Sequence, residues 1–127
     1  AIDRGGKPVA AVADIGIRKT VLAQERGIRR SRKQRTNWDY LQRCSDLFAP
    51  ETYFNSGVIL FDFPAIARAG LSQRMQDVDA AVTLRQERGL RFDDQTWLNV
   101  VFHGHTHHLE PGWNSFWGNT LTAKPPF

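Results

Sequence analysis

An α/β fold with a mostly parallel or mixed sheet and flanking helices is predicted by three observations. Short apolar segments at 9–13 and 54–61 read as strands. Segments of helical period alternate with them along the chain. Breakers such as Pro8, Pro50, Pro64, Gly70 and Gly89 fall between the two kinds. Three well-marked helices and about three strands are few for a complete doubly wound fold. The 127 residues therefore read as a single domain that is part of a larger one.

The first strand, 9–13, follows a Lys7-Pro8 turn and ends on the carboxylate of Asp14. Ligand sites of open α/β sheets collect at strand ends, so Asp14 is a candidate site residue. A capping or turn role for it remains equally open. The stretch at about 18–36 reads as an irregular or partly helical insertion. Thr36 or Asn37 is expected to cap a helix running to about Phe48, with Asp39 completing a capping-box pattern from Thr36. Trp38, Leu41, Cys44 and Phe48 would share its inner face, and Pro50 would stop it. The run at 58–61 is continuously apolar, so the 54–61 strand is expected to be buried on both faces. Pro64 then opens a short helical turn closed by Gly70. Ser72 is read as the cap of the clearest helix, with Leu71, Met75, Val78 and Val82 inward and Gly89 at its end. A last helix starts at Asp94 with Trp97, Leu98 and Val101 inward.

Hydrophobic content of 41% and charged content of 24% are those of an ordinary globular domain with a real core. No apolar run approaches the roughly 20 residues of a membrane span. No signal peptide is visible and the chain lacks an initiator Met, so it is expected to be processed or cut from something longer. A lone Cys44 excludes an intrachain disulfide framework and favours a reducing, cytoplasmic setting; it reads as a buried structural thiol. The net charge of +4 is concentrated in Arg26, Arg29, Arg30, Arg32, Lys33 and Arg35. Such a run suits a solvated surface, phosphates, an anionic membrane surface or nucleic acid. No aromatic residues alternate with these charges, so stacked single-stranded nucleic acid is not expected.

The most informative segment is Tyr53-Phe54-Asn55-Ser56-Gly57-Val58-Ile59-Leu60-Phe61-Asp62. Small polar residues at the mouth of a strand let a ligand approach the backbone, because Gly57 has no Cβ in the way. A second phrase, Phe92-Asp93-Asp94-Gln95-Thr96-Trp97-Leu98-Asn99-Val100-Val101-Phe102, follows. Together they suggest a site for a small polar ligand at the edge of the sheet.

The first segment resembles the Y-F-N-(A/S)-G-V segment of family 8 glycosyltransferases. The phrase from Asp94 to Phe102 resembles that family's D-Q-D-x-L-N-x-x-F. Leu109-Glu110-Pro111-Gly112-Trp113-Asn114 is similar to its L-P-x-x-W-N, and Ala10-Ala11-Val12-Ala13-Asp14 to its A-A-V-x-D strand. All four occur in the family's order and span nearly the whole chain. The resemblance implies a GT-A fold and retaining transfer of a hexose from a nucleotide-diphosphate sugar to an acceptor hydroxyl, the acceptor being a glycan or glycolipid. It implies Mn²⁺ or another divalent ion to neutralise the leaving diphosphate. Asp94 would then hold donor-sugar hydroxyls, and the Gln95 amide would face the anomeric centre. Asn55, Ser56 and Gly57 would form the pocket floor, Asp14 would meet the acceptor, and Trp113 and Asn114 would complete the sugar side.

Departures from the pattern limit this. The family's D-x-D precedes the A-A-V-x-D strand, and none occurs before Asp14. Thr96 stands where D-Q-D has its second carboxylate. Counting back from Lys124-Pro125-Pro126 puts Gly118 and Leu121 where H-x-x-G-x-x-K-P-W has its metal His and its Gly. No metal ligand can be assigned, and the chain reads as the C-terminal portion of a transferase, supplying the sugar and acceptor side and inactive alone. A peripheral membrane location and self-association through an exposed sheet edge are further expectations.

Gly104-His105-Thr106-His107 also resembles the last metal motif of calcineurin-like metallophosphoesterases. His103, His105 and His107 at alternate positions of a strand would share one face. That family also needs D-x-H, G-D and G-N-H upstream, which are absent here. A solvated edge strand, an adventitious metal site and a non-catalytic sugar-binding module stand as other readings.

Overall fold

The computed structural model describes residues 3–90 and 94–114. Its sheet has three strands, β1 (Val9–Ala13), β2 (Phe54–Phe61) and β3 (Thr106–Leu109), in the order β2-β1-β3. β2 runs antiparallel to β1 and β3 runs parallel to it, so the sheet is mixed. Helices flank it: α1 (Ile15–Glu25), α2 (Arg32–Arg43), α3 (Phe63–Arg68), α4 (Ser72–Met75), α5 (Val78–Arg88) and α6 (Asp94–Val101). Single 3-10 turns at Pro50–Thr52 and Pro111–Asn114 lead into β2 and out of β3.

The strand buried on both faces is β1, not β2. Val9, Ala10 and Ala11 are fully buried and Val12 nearly so. Val9 and Ala11 face Phe54, Ile66, Leu71, Val101 and Phe102, while Ala10 and Val12 pack with Leu109. Small side chains suit a central strand covered on both sides. β2 lies at one side of the described sheet and only its first residue, Phe54, is buried. A continuous apolar run marks burial only when both neighbours and both faces are filled, and β2 has β1 on one side alone among the described residues.

Residues 18–36 are mostly helical, in contrast to the irregular insertion expected. They cover most of α1, the connection, and the first turns of α2. Asp14 caps α1, its Oδ1 accepting from Ile17 N at 2.9 Å. α1 closes with Gly27 at φ 63, where Ile28 N donates to Ala23 O and Gly27 N to Gln24 O. Ser31, rather than Thr36, caps α2: its Oγ accepts from Gln34 N, and Gln34 Oε1 accepts from Ser31 N. Leu41, Cys44 and Phe48 are buried as expected, but the helix ends at Arg43, well before Pro50.

The helix expected from Ser72 is two helices. Asp77 interrupts it by accepting from Ala80 N at 2.9 Å, which starts a new helix and rotates its faces. Val78 and Val82 are consequently exposed, at 69% and 43%. Gly89 ends α5 at φ 60 as expected. α6 begins at Asp94 and buries Val101. A second core cluster joins α1, α2 and α6 through Ile17, Leu41, Cys44, Phe48, Tyr53, Leu90 and Val100.

Candidate functional site

The ladder between β1 and β2 is irregular where the site forms. Ala11 opposes Ile59 and Ala13 opposes Phe54, so residues 55–58 of β2 face Val12 alone. The surplus residues leave the ladder, and their N–H groups are free for other acceptors. Ser56 N donates to Gln95 Oε1 at 3.0 Å, and Gly57 N donates to Asn55 Oδ1 at 2.8 Å. Below the bulge, Asn99 replaces a neighbouring strand. Its Oδ1 accepts from Phe54 N and its Nδ2 donates to Phe54 O, both at 2.9 Å. Asn99 is 3% exposed and is buried on α6 with Thr96, Val100 and Val101; its place in the Asp94–Phe102 motif is the signal that would have marked it in the sequence.

Four of the expected site residues meet here. Gln95 Nε2 donates to Asp14 Oδ2 at 3.0 Å and to Tyr53 Oη at 3.3 Å. Asn55 Nδ2 donates to the same Asp14 oxygen at 3.4 Å, and Asn114 Nδ2 donates to Asn55 Oδ1 at 2.7 Å. The orientation of the Gln95 amide follows from its partners. An ionised carboxylate only accepts and a backbone N–H only donates, so the NH₂ must face Asp14 and the oxygen Ser56. The capping role left open for Asp14 is observed, one oxygen capping α1 while the other accepts from two amides beside it.

The space that the missing side chain of Gly57 leaves is bordered by Asn55 and Asn114. A Cβ there would lie 2.8 Å from Asn55 Oδ1 and 3.1 Å from Asn114 Nδ2. Ser56 adds a long contact, Oγ to Gln95 Oε1 at 3.4 Å. Tyr40 and Thr96 extend the network: Tyr40 Oη lies 2.7 Å from Thr96 Oγ1 and donates to Tyr53 Oη at 3.1 Å. Burial and the neighbouring Tyr53 push the Tyr40 phenol far above its ordinary pKa, so it stays protonated. Tyr40 carries no motif and lies on α2, which is why the sequence did not mark it.

An open cavity of about 670 Å³ lies against this network. Asp14, Asn55, Gln95 and Tyr40 line it together with Lys19, Lys33, Gln34 and Asn37. A second cavity of about 570 Å³ lies behind α1, lined by Arg18, Glu51 and His108, and Asn114 reaches it. Asp94 is exposed at the start of α6 and lines a separate depression with Met75, Val82 and Trp97. Trp113 is 52% exposed and borders neither of the two large cavities. Arg91, Phe92 and Asp93, and the positions 118, 121 and 124 compared with the metal motif, lie outside the described residues.

The histidines do not form the expected row. His103 and His105 precede β3, on either side of Gly104 at φ 78, and of the three only His107 lies on the strand. His108 is exposed, and desolvation, His107 and Arg18 together lower its pKa. Among the described residues no three His, Cys, Asp or Glu side chains are placed to hold a metal ion. Among the described residues Asp14 is the one carboxylate lining the cavity of about 670 Å³, and its oxygens already accept three hydrogen bonds. The described residues therefore do not fit a divalent ion.

Residues 1–125 match the family model for glycosyl transferase family 8. The chain belongs to that family. Its position agrees with the convergence of Asp14, Asn55, Gln95 and Asn114, which come from the four motif segments. No curated protein matches this family 8 chain significantly. Among solved structures it is similar to the apo structure of the WbbM bifunctional glycosyltransferase, with a TM-score of 0.57 and 23% identity. That match covers 88% of this chain and 18% of the other, so the family 8 chain spans less than a fifth of its neighbour's length. At this identity the likeness is one of fold.

Proposed function

We propose that this family 8 chain supplies the sugar and acceptor side of a site that transfers a hexosyl group, with retention, from a nucleotide-diphosphate sugar to a hydroxyl of a glycan or glycolipid. The observation that carries the reading is the Gln95 amide, fixed between Asp14 and Ser56 beside a cavity of about 670 Å³. A carboxamide is a weak nucleophile, but its oxygen dipole stabilises positive charge at an anomeric carbon. Holding that dipole in advance removes the cost of reorienting it during reaction. Asp14, Tyr53 and Ser56 hold the amide, Asp14 and Asn55 present hydrogen-bonding atoms to sugar hydroxyls, and Ser56, Gly57 and Asn114 shape the floor. Asp94 would join a donor sugar only from the far side of α6. The diphosphate side, with its Mn²⁺ or other divalent ion, is assigned to residues other than those described.

Calorimetry of the full-length protein with nucleotide-diphosphate hexoses and Mn²⁺ tests this. Binding to at least one donor is expected, with product NMR showing a retained anomeric configuration. Gln95→Ala should lower turnover about 100-fold, the scale of losing one preorganised electrostatic group. Failure to bind any donor would overturn the reading, and binding without turnover would favour a sugar-binding module.

A membrane-facing role for the basic stretch also belongs to this reading. Arg26, Arg29, Arg32, Lys33 and Arg35 are all exposed between α1 and the first turns of α2. No described helix is long and apolar enough to cross a membrane. Such a surface would dock on anionic headgroups. Flotation with anionic but not neutral vesicles is expected, and equal flotation with both would count against it.

A further inference from the structure

We infer that Tyr40, working with Thr96, is a positioning residue for the Gln95 amide, an inference that rests on the transfer reading above. The hydrogen bonds have a direction. Gln95 Nε2 can only donate, so Tyr53 Oη accepts from it at 3.3 Å. Tyr40 gives its single hydroxyl proton to the same Tyr53 oxygen at 3.1 Å. Tyr40 must then accept at its 2.7 Å contact, which makes Thr96 Oγ1 the donor there.

The order runs from Thr96 through Tyr40 to Tyr53, where it meets Gln95. Each step polarises the next, so Thr96 strengthens Tyr40 as a donor. The second donor on Tyr53 Oη fixes where that oxygen sits, and with it one of the two acceptors that hold the Gln95 NH₂. Thr96 is 2% exposed and Tyr53 is 4% exposed, so water has little access to replace a missing partner. Tyr40 and Gln95 both border the cavity, so the positioning acts on an amide that faces it.

Residue 96 sets the direction. A carboxylate there would accept rather than donate, and would draw the Tyr40 proton away from Tyr53. Thr96 is adjacent to Gln95 in sequence, yet it acts on the amide through α2.

The test uses the full-length protein and the variants Tyr40→Phe, Thr96→Val, Thr96→Ser and the Tyr40→Phe/Thr96→Val double variant. With a turned-over donor, Tyr40→Phe and Thr96→Val should each lower kcat about tenfold, the size of one hydrogen bond's alignment, with donor KM unchanged. Thr96→Ser, which keeps the hydroxyl, should restore the wild-type rate. The double variant should be no worse than Tyr40→Phe alone, because both changes break one chain. Additive losses, or a loss that follows only the folded fraction, would mean a merely structural role. The second arm needs no turnover: the side-chain NH₂ resonances of Gln95 should shift in Tyr40→Phe and Thr96→Val but not in Thr96→Ser. Unchanged Gln95 resonances would overturn the inference even if transfer is observed. Shifted resonances in a protein that binds no donor would uphold the positioning and remove only the transfer reading.

Discussion

Asn99 holds the first residue of β2 as a backbone neighbour would. Replacing it with Leu leaves Phe54 N–H and C=O buried without partners. A loss of about 2–4 kcal/mol is expected, from the desolvation of unpaired buried groups, and urea denaturation would measure it. Gly57→Ala is a contrasting case. Its new Cβ meets Asn55 Oδ1 and Asn114 Nδ2, so the cost is a displaced pair of side chains, about 1–3 kcal/mol. Its test is the distinction between the two, since Gly57→Ala should disturb the site more than the fold. Asp14, Asn55, Gln95 and Asn114 were legible because each sits in a short ordered motif. Asn99 sits in a motif too, but its role and that of Tyr40 were not legible, because their partners are backbone atoms and hydroxyls brought close only by folding.

At the scale of elements, the C-terminal ends of α2 and α5 hold each other. Arg88 donates to Arg43 O at 2.7 Å, and Arg43 donates to Gly89 O at 3.1 Å, so each arginine satisfies a carbonyl at the other helix's end. Arg88 also pairs with Asp46 through two parallel hydrogen bonds of 2.6 and 2.7 Å. The guanidinium lowers the Asp46 carboxyl from 3.8 to about 2. A depressed carboxyl stabilises the fold above its unfolded value and loses that contribution as pH falls toward 2. Asp46→Asn should therefore lower the thermal midpoint slightly at neutral pH and not at all near pH 2, with salt reducing the difference because the pair is exposed. A pH-independent difference would assign the effect to packing. The boundaries misread in the sequence were of one kind. Ser31 and Asp77 each offered a cap that competed with the one expected, and periodicity cannot rank caps. Once Asp77 restarts the helix, the apolar spacing of Val78 and Val82 no longer continues the face of Leu71.

Taken whole, the molecule packs three strands and six helices, among the described residues, around a small-residue central strand. The α/β class and the site's backbone segments were legible from alternation and motif order. Which strand lies at the centre was not, because Val-Ala-Ala-Val-Ala is less apolar than β2 and gains its burial from neighbours on both sides. Cys44 gives a handle on the stability of the whole. Its side chain is fully buried and burial raises its pKa, so little thiolate is exposed to reagent. Alkylation should track unfolding, slow in water and accelerating in parallel with loss of structure in denaturant. Rapid labelling under native conditions would show a local opening of the α2 end instead.

The bulge in β2 has a consequence for amide hydrogen exchange. Leu60 pairs with Ala10 of β1, in the hydrogen-bonding phase set by Asp62 N donating to Pro8 O, so its amide exchange reports opening of the sheet. Ser56 and Gly57, in the same strand, owe their protection to the side chains of Gln95 and Asn55. A sugar that drew Gln95 Oε1 toward itself would release the Ser56 amide and leave Leu60 unchanged. One peptide segment thus contains both a clock for the fold and a reporter of occupancy, a few residues apart.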